Sequence, residues 1–408
     1  ALLLGSVVFA QDDPESGTAL VQLPATQTAA PAATPQPRPN VPQPAIPQTS
    51  DLQVIPRPPQ INASSYILID AATGTVLTEY NADSALPPAS LTKIMTTYVA
   101  DNEIAAGNIS LNDEVFVSVK AWQAEGSKMF IQEGTKVRLE DIMRGVIIQS
   151  GNDSAIALAE HIAGSEEAFA DMMNQHAQLL GMTSSHFTNA SGLPDPVHVM
   201  SSRDLATLAR AVITRFPEPY KMYGEREFTY NNIRQPNRNS LLFTDRNVDG
   251  MKTGWTESAG FCLVASAKRE DMRLISVVLG TDSSTTRANE SQALLNYGFR
   301  FYESKRLWEA GTVINKERVW KGAEESTDLI VRETVFATVP SGNLAEVQTV
   351  MEMPERLIAP LDENVPVGKV IAKIDDNTVG EANLYSARTI PEGSFLQTTW
   401  DEILLFFE

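Results

Sequence analysis

The sequence has one cysteine, more acidic than basic residues, and no long apolar run. Cys262 has no partner for an intrachain disulfide, so packing must hold the fold together. The 32 lysines and arginines are outnumbered by 51 acidic residues, and the net charge of −19 would repel a phosphate backbone. Nucleic acid is therefore not expected as a partner. After the first ten residues no run approaches the ~18 apolar residues of a membrane span, so we expect no transmembrane helix.

Histidine is scarce as well, since the chain has four, at positions 161, 176, 186 and 198. None shows H-E-x-x-H or a similar ligand spacing, so we predict no metal site and no cofactor. Cys262 lies in an apolar segment without an identifiable base beside it. This favours a small core residue over a second nucleophile.

The first 60 residues are predicted to lie outside the folded part. ALLLGSVVFA, at positions 1–10, has the apolar run and the small residues that end a secretory signal peptide, which predicts export. Residues 11–60 hold half of the chain's 24 prolines among Ala, Thr and Gln, a composition that buries too little apolar surface to fold. We interpret this segment as an extended tether rather than a Pro-rich recognition ligand.

Residues 61–302 combine strand and helix patterns. Two β-rich runs, Tyr66–Asp70 and Thr75–Tyr80, predict a hairpin, and GFCLVASAKREDMRLISVVLG predicts a strand pair near the other end. Between them apolar residues recur at helical spacing, with Ser165 and Ser202 as predicted N-caps. The pattern predicts an α/β or α+β domain in which the terminal strands share one sheet.

The remainder of the chain changes character. Residues 303–390 contain short β-branched runs separated by turn residues, which predict a second, all-β domain. Residues 391–408 include SFLQTTWDEILLFFE, whose apolar residues have the spacing of an amphipathic helix. This helix has no Lys or Arg, so it could lie in a membrane interface only through its apolar face, or pack on the β domain or a partner.

Ser90 and Lys93 form an S-x-x-K pair in PPASLTKIMTTYVA, where a helix is predicted to begin. Residues three apart on a helix are neighbours, so the hydroxyl and the amine can meet. Both border the apolar stripe, and partial burial would lower the pKa of the amine until a neutral base exists near pH 7. Taken alone, the pair also fits an N-cap serine followed by a lysine that extends to solvent.

Two further motifs follow. Ser-x-Asn occurs three times, and the copy at Ser150–Asn152 lies between two helical patterns, after S-x-x-K. KTG occurs once, at Lys252–Gly254, directly before the predicted strand pair. A cation, a hydroxyl and a residue without Cβ on one strand edge suit a carboxylate-bearing peptide that pairs with this edge.

In this order, S-x-x-K, S-x-N and K-T-G resemble the motif set of the penicillin-binding proteins and serine β-lactamases. From about residue 61 onward the chain resembles the low-molecular-mass penicillin-binding proteins that act as D-alanyl-D-alanine carboxypeptidases, also in IRQPNRNSLL, VDGMKTG, AGFCLVASA, MRLISVVLG and YGFRFYE. The resemblance implies an α/β (α+β) transpeptidase domain, with a central antiparallel sheet flanked by helices, and a small all-β C-terminal domain.

The resemblance also implies a function and its partners. The protein would remove the terminal D-alanine from peptidoglycan stem peptides through an acyl-enzyme, and β-lactams such as penicillins would acylate it. It would work in the periplasm, as a peripheral protein on the outer face of the cytoplasmic membrane, with the C-terminal helix as a candidate membrane contact.

Each motif residue then receives an implied role. Ser90 would attack the carbonyl between the two D-alanines, and Lys93 would take its proton. Ser150 would relay a proton to the departing D-alanine, and Asn152 would hold the amide on the acyl side. Lys252 would keep Lys93 neutral by like-charge repulsion.

Substrate-binding roles follow in the same way. The oxyanion would lie between the backbone N–H groups of Ser90 and Trp255. Thr253 and Arg287 would bind the terminal carboxylate, with Arg238 as a weaker candidate that could equally be a surface charge. Trp255 stands where the family carries a histidine, and this difference bears on the rate at which the acyl-enzyme is hydrolysed.

Two alternatives share parts of this pattern. A class A-like β-lactamase needs a carboxylate that activates the hydrolytic water, and no E-x-x-L-N segment lies between Asn152 and Lys252. A non-catalytic peptidoglycan-binding scaffold would explain the tether and the β domain, but would not require intact motif side chains. The carboxypeptidase is therefore the leading hypothesis.

Overall fold

The fold is described from a computed structural model, which describes residues 55–407. The predicted signal-peptide end at 1–10 and nearly all of the predicted tether at 11–60 lie outside the described residues.

The described chain up to residue 301 alternates strands and helices. Its strands are β1 Ser65–Asp70, β2 Val76–Tyr80, β3 Glu114–Phe116, β4 Lys136–Arg138, β5 Glu227–Tyr230, β6 Ile233–Pro236, β7 Val248–Thr256, β8 Gly260–Arg269 and β9 Met272–Thr281. Its helices are α1 Lys93–Ala105, α2 Val119–Gln123, α3 Leu139–Arg144, α4 Asn152–Ala163, α5 Glu166–Leu179, α6 Ser202–Arg215, α7 Pro217–Tyr220, α8 Leu241–Thr244 and α9 Ser284–Phe301.

The central sheet is antiparallel, with the strand order β2-β1-β9-β8-β7. The prediction that strands from both ends of this region share one sheet is confirmed. The prediction that KTG lies on a strand edge directly before a strand pair is confirmed, because KTG lies in the edge strand β7 and the pair β8 and β9 follows it. Residues 250–254 of β7 are buried without interruption, so the strand lacks the polar alternation by which a half-exposed strand is recognised.

Helices cover both faces of this sheet. Along β1, Ile67 and Ile69 belong to the apolar cluster that includes α1, α4 and α5, whereas Leu68 joins the cluster that includes α9. Successive side chains of a strand point to opposite faces, so this run of apolar residues is buried on both sides. The sheet therefore lies between two helical layers.

The N-cap predictions have mixed outcomes. Ser165 caps α5, since its side chain accepts the N–H of Ala168, as predicted. The prediction for Ser202 is wrong by one residue, because Ser201 is the residue that accepts the N–H of Asp204. Ser201 has the extended backbone of a cap, and Ser202 instead bonds Ser65 through its hydroxyl.

From residue 302 onward the chain is β-rich and ends in a helix. Its elements are β10 Tyr302–Trp308, β11 Val313–Trp320, β12 Ser326–Val331, β13 Val335–Pro340, β14 Gln348–Glu352, β15 Leu357–Ile358, β16 Pro366–Ile374, β17 Asn377–Ser386 and α10 Phe395–Phe407. Six of these strands form one sheet, in the order β14-β16-β17-β12-β11-β15, around a core of its own. An α/β domain is thus followed by an all-β domain, as predicted.

Candidate active site

Ser90 lies in a 3-10 turn, Ala89–Thr92, that leads directly into α1. We call these four residues the serine turn. Ala89 has φ +49°, a left-handed conformation that residues with a Cβ rarely adopt. The turn places the Ser90 hydroxyl oxygen 3.1 Å from Nζ of Lys93, the first residue of α1. The predicted meeting of the two side chains is confirmed.

Lys93 is almost completely buried, with 1% of its surface exposed, and has three oxygen neighbours. Besides Ser90, Nζ lies 2.7 Å from Oδ1 of Asn152 and 2.6 Å from the carbonyl oxygen of Ser191. A neutral amine has two N–H groups and one lone pair. It can donate to these two oxygens and accept the hydroxyl proton of Ser90, which is the arrangement of a general base.

The electrostatics agree with this arrangement. Burial, and after it the nearby positive charge of Arg238, lower the pKa of Lys93 to about 7. The pKa of Lys252 also lies well below its usual value, because of burial first and then repulsion by Lys93, Arg238 and Arg287. The effect of burial on Lys93 was predicted from the sequence, but the repelling charge was assigned to Lys252, whereas Arg238 supplies it in the structure.

Ser150 and Asn152 reach the site because a π-helical turn, Gly145–Gln149, ends just before them. Ser150 takes a left-handed backbone conformation, with φ +61°, and α4 begins at Asn152. Asn152 bonds Lys93 through its oxygen and donates through Nδ2 to the carbonyl of Glu125 at 2.6 Å. Within residues 55–407 the buried Ser150 hydroxyl has no hydrogen-bond partner, so it is available to a substrate.

KTG lies along β7, against the serine turn. Lys252 is buried, and its Nζ donates to the carbonyl of Thr253 at 3.3 Å. A Cβ on Gly254 would lie 2.9 Å from the carbonyl oxygen of Pro88. The sequence analysis gave Gly254 the role of admitting a substrate backbone, but here the close neighbour is the protein's own chain. Gly254 thus allows β7 to pack directly on the segment that carries Ser90.

A cleft of about 710 Å³ opens above these groups. The predicted site residues that line it are Ser90, Ser150, Asn152, Thr253, Gly254, Trp255, Arg238 and Arg287. Lys93 and Lys252 lie buried beneath it. The structure therefore brings all ten predicted residues to one place.

Arg287 and Trp255 form part of the cleft rim. Arg287 donates to the carbonyl of Gly254 at 3.0 Å and lies over the ring of Phe261. Trp255 is 56% exposed, and the centre of its ring lies 5.8 Å from that of Phe261.

Cys262 pairs with Gly254 across the sheet, and burial raises the pKa of its thiol to about 11. Cys262 is therefore a core residue without thiolate character, as predicted.

Sequence reasoning missed the groups that support the site. The carbonyl of Ser191 carries no sequence signal, because any residue supplies one. Asp153 accepts the backbone N–H groups of Met129, Phe130 and Ile131, and so holds a loop whose earlier residues line the cleft. Its place in the first turn of α4 was a visible signal, but one that a simple helix-dipole role would explain equally well.

A serine beside a buried lysine whose pKa is about 7, next to the edge strand of a helix-covered sheet, defines a serine acyl-transfer enzyme of the penicillin-binding class. Residues 52–283 match the family model described as D-alanyl-D-alanine carboxypeptidase, and residues 302–392 match the model described as penicillin-binding protein 5, C-terminal domain. The chain belongs to the D-alanyl-D-alanine carboxypeptidase family. The resemblance and the fold class deduced from the sequence are both confirmed.

Individual relatives agree with this assignment. D-alanyl-D-alanine carboxypeptidase DacC of Escherichia coli (strain K12) is 42% identical over 357 residues, which cover 86% of this chain and 89% of that protein. The crystal structure of penicillin binding protein 5 from Haemophilus influenzae has a TM-score of 0.78 at 42% identity and covers 82% of this chain and 99% of that one. Penicillin-binding protein D2 from Listeria monocytogenes, in its ampicillin-bound form, has a TM-score of 0.55 at 27% identity and covers 59% of this chain and 98% of that one.

Proposed function

We propose that this protein removes the terminal D-alanine from peptidoglycan stem peptides through an acyl-enzyme on Ser90. The observation that carries the proposal is the position of Lys93, whose amine lies 3.1 Å from the Ser90 hydroxyl and has a pKa of about 7. Such an amine can take the serine proton at neutral pH without a histidine. The family membership supplies the substrate class.

Acylation begins when the oxygen of Ser90 bonds to the carbonyl carbon of the penultimate D-alanine and its proton passes to Lys93. The oxyanion lies between the backbone N–H groups of Ser90 and Trp255. The C–N bond then breaks, and the departing D-alanine amine takes a proton through the Ser150 hydroxyl. Water next attacks the ester, which releases the shortened peptide and restores Ser90.

The substrate is held on both sides of the scissile bond. Thr253 and Arg287 bind the terminal carboxylate, and the charge of Arg238 adds to the positive potential of the rim. Asn152 has a second N–H on Nδ2, beyond the one given to Glu125, which can donate to the peptide on the acyl side.

β-Lactams are proposed to acylate the same serine. Their strained cyclic amide carries a carboxylate in a place similar to that of the D-alanine terminus, and the related Listeria protein has been seen with ampicillin bound. The β-lactamase and scaffold alternatives are less well supported. The curated relatives are carboxypeptidases, and residues 302–392 match the domain that follows the peptidase domain in penicillin-binding protein 5.

Mass spectrometry after brief penicillin treatment tests the proposed function. The wild type is expected to gain one covalent adduct on the peptide that holds Ser90, and to release D-alanine from a peptide ending in D-Ala-D-Ala. Ser90→Ala is expected to do neither. An unmodified wild type in the presence of intact penicillin would contradict an activated serine. Rapid loss of the adduct with turnover of the drug, but no D-alanine release, would favour the β-lactamase.

We also propose that the protein works in the periplasm and touches the outer face of the cytoplasmic membrane through α10. In the described part of the chain no helix has both the length and the apolarity to cross a bilayer. On α10, Asp401 pairs with Arg318, and Glu402 pairs with Lys321, so the acidic side of the helix is directed to the β domain. The apolar residues Phe395, Leu396, Trp400 and Ile403 are exposed on it.

Sedimentation with lipid vesicles tests the membrane contact. Because α10 has no Lys or Arg and the protein is acidic, we expect it to bind zwitterionic phosphatidylcholine vesicles at least as well as anionic ones. Trp400→Glu together with Ile403→Glu should abolish this binding. Leu179→Glu is the matched control, since Leu179 is 81% exposed on the peptidase domain. Equal binding of both variants would show that α10 is not the contact.

A further inference from the structure

The chain between α5 and α6 lies under the catalytic groups. We call residues 188–198 the support segment. Oδ1 of Asn189 accepts three successive backbone N–H groups, those of Ser191, Gly192 and Leu193. The N–H of Ala190 donates to the carboxylate of Glu166 at 3.1 Å. These bonds give an irregular segment a fixed backbone.

The support segment contacts Lys93 and the serine turn. The carbonyl of Ser191 accepts from Nζ of Lys93, and Gly192 packs so closely on the serine turn that a Cβ there would lie 1.9 Å from the carbonyl oxygen of Ala89. The carbonyl of Ala190, one residue before Ser191, accepts from the Thr96 hydroxyl at 2.6 Å. The position of Ser90 relative to Lys93 thus depends on how the segment is attached to the serine turn.

That attachment is a chain of hydrogen bonds through His198, which is buried and plays no part in the proposed reaction. Nδ1 of His198 accepts the backbone N–H of Thr188 at 3.1 Å, so this nitrogen carries the lone pair. Nε2 therefore carries the proton and donates to the Thr92 hydroxyl at 2.8 Å. The Thr92 hydroxyl has its own proton left and donates to the carbonyl of Ala89 at 2.8 Å.

Each link of this chain has one direction only. The N–H of Thr188 occupies the lone pair of His198 Nδ1, so the ring proton is on Nε2 and points to Thr92. Thr92 Oγ1 accepts this proton, and its own proton is left for the carbonyl of Ala89. Burial lowers the pKa of His198 to about 4, so the ring stays neutral at neutral pH and the order of donors persists. The chain ends on the carbonyl of Ala89, the left-handed residue that precedes the nucleophile.

We propose that His198 is a positioning residue for acylation: through Thr92 it fixes the serine turn against the support segment, so that Ser90 stays within reach of Lys93. The inference rests on the proposed function, in which Lys93 takes the proton of Ser90. His198 does not line the cleft, and its ring bonds to Thr92 and Thr188. A displacement of the order of 1 Å in such a pair can cost about 100-fold in rate.

Thr92 offers the sharpest test, because valine has nearly the shape of threonine without its hydroxyl. We expect Thr92→Val to lower the first-order rate of penicillin acylation by about 10- to 100-fold, while the non-covalent affinity of penicillin changes less than threefold. Thr92→Ser keeps a hydroxyl and should restore most of the rate. Stopped-flow acylation at several penicillin concentrations separates the rate from the affinity, and the melting temperature monitors folding.

Coupling between the two side chains tests the role of His198. His198→Ala should lower the same rate constant, and the double variant with Thr92→Val should be no slower than the slower single variant, because both remove one chain of bonds. His186→Ala is the control, since His186 is exposed and close to the same segment. This variant should be acylated at the rate of the wild type. If His198→Ala does not fold, the comparison of Thr92→Val with Thr92→Ser decides alone.

The contrary outcomes are distinct. Unchanged acylation in Thr92→Val, or a double variant as slow as the product of the two single effects, overturns the inference while the proposed function stands. Absence of any Ser90 adduct in the wild type overturns the proposed function itself.

Discussion

Lys93→Arg is expected to lower the rate of Ser90 acylation by on the order of 10³-fold, because a guanidinium does not give up its proton in a protein and cannot act as the base. The change removes the lone pair that takes the proton while it keeps a long basic side chain at this position. Penicillin acylation, followed by mass spectrometry, measures the effect. Lys136→Arg is the control, since Lys136 is exposed and pairs with Glu114 on the surface. A Lys93→Arg protein that acylates at the rate of Lys136→Arg would exclude Lys93 as the base.

The wild type should show the matching pH dependence. The base is the neutral form of Lys93, whose pKa is about 7, so the acylation rate should fall as the pH drops below 7 and level off above it. Ser90 has no titration of its own in this range. A rate that stays constant between pH 5 and 9 would contradict the assignment.

Gly192→Ala is expected to damage both the stability and the activity of the protein. Gly192 has φ +80°, and a Cβ there would lie 1.9 Å from the carbonyl oxygen of Ala89, a backbone atom that cannot move without the serine turn. The left-handed conformation costs about 1 kcal/mol, and the steric overlap should bring the total loss of unfolding free energy above about 3 kcal/mol. Chemical denaturation measures this loss.

Gly181→Ala separates the two contributions. Gly181 follows α5, on the same connection, has φ +73°, and has nothing within 4 Å of the position of a Cβ. Gly181→Ala should lower the free energy of unfolding by only about 1 kcal/mol and leave the acylation rate unchanged. Equal losses in the two variants would show that strain of the backbone, and not contact with the serine turn, determines the effect.

The sequence predicted the sheet, the helices and the catalytic groups where local pattern carried the information. Ser90 and Lys93 are three residues apart, and helical spacing alone places them together. KTG was placed on a strand edge from its motif chemistry, but the extent of β7 was not predicted, since residues 250–254 are all buried and lack polar alternation.

The supporting contacts were not predictable in the same way. The carbonyl of Ser191 meets Lys93 across 98 positions of the sequence, and His198 meets Thr92 across 106. No local pattern specifies a contact between such distant residues, and a backbone carbonyl is the same in every residue. The spacing of the histidines gave no information on His198, because spacing cannot show which hydroxyl a buried ring will bond.

The position of β7 at the end of its sheet has a further consequence, for the behaviour of the protein in concentrated solution. The outer side of an edge strand carries unpaired N–H and C=O groups, to which strands of other molecules can add, and this is a common route to aggregation. Here Ser90, Ser127 and Leu193 line the same cleft as the KTG stretch of β7. Residues from other segments thus lie beside this edge, and covering an edge is one way in which proteins keep further strands from adding to it. We therefore expect the cleft proposed to bind the substrate to shield this edge from other copies of the protein as well.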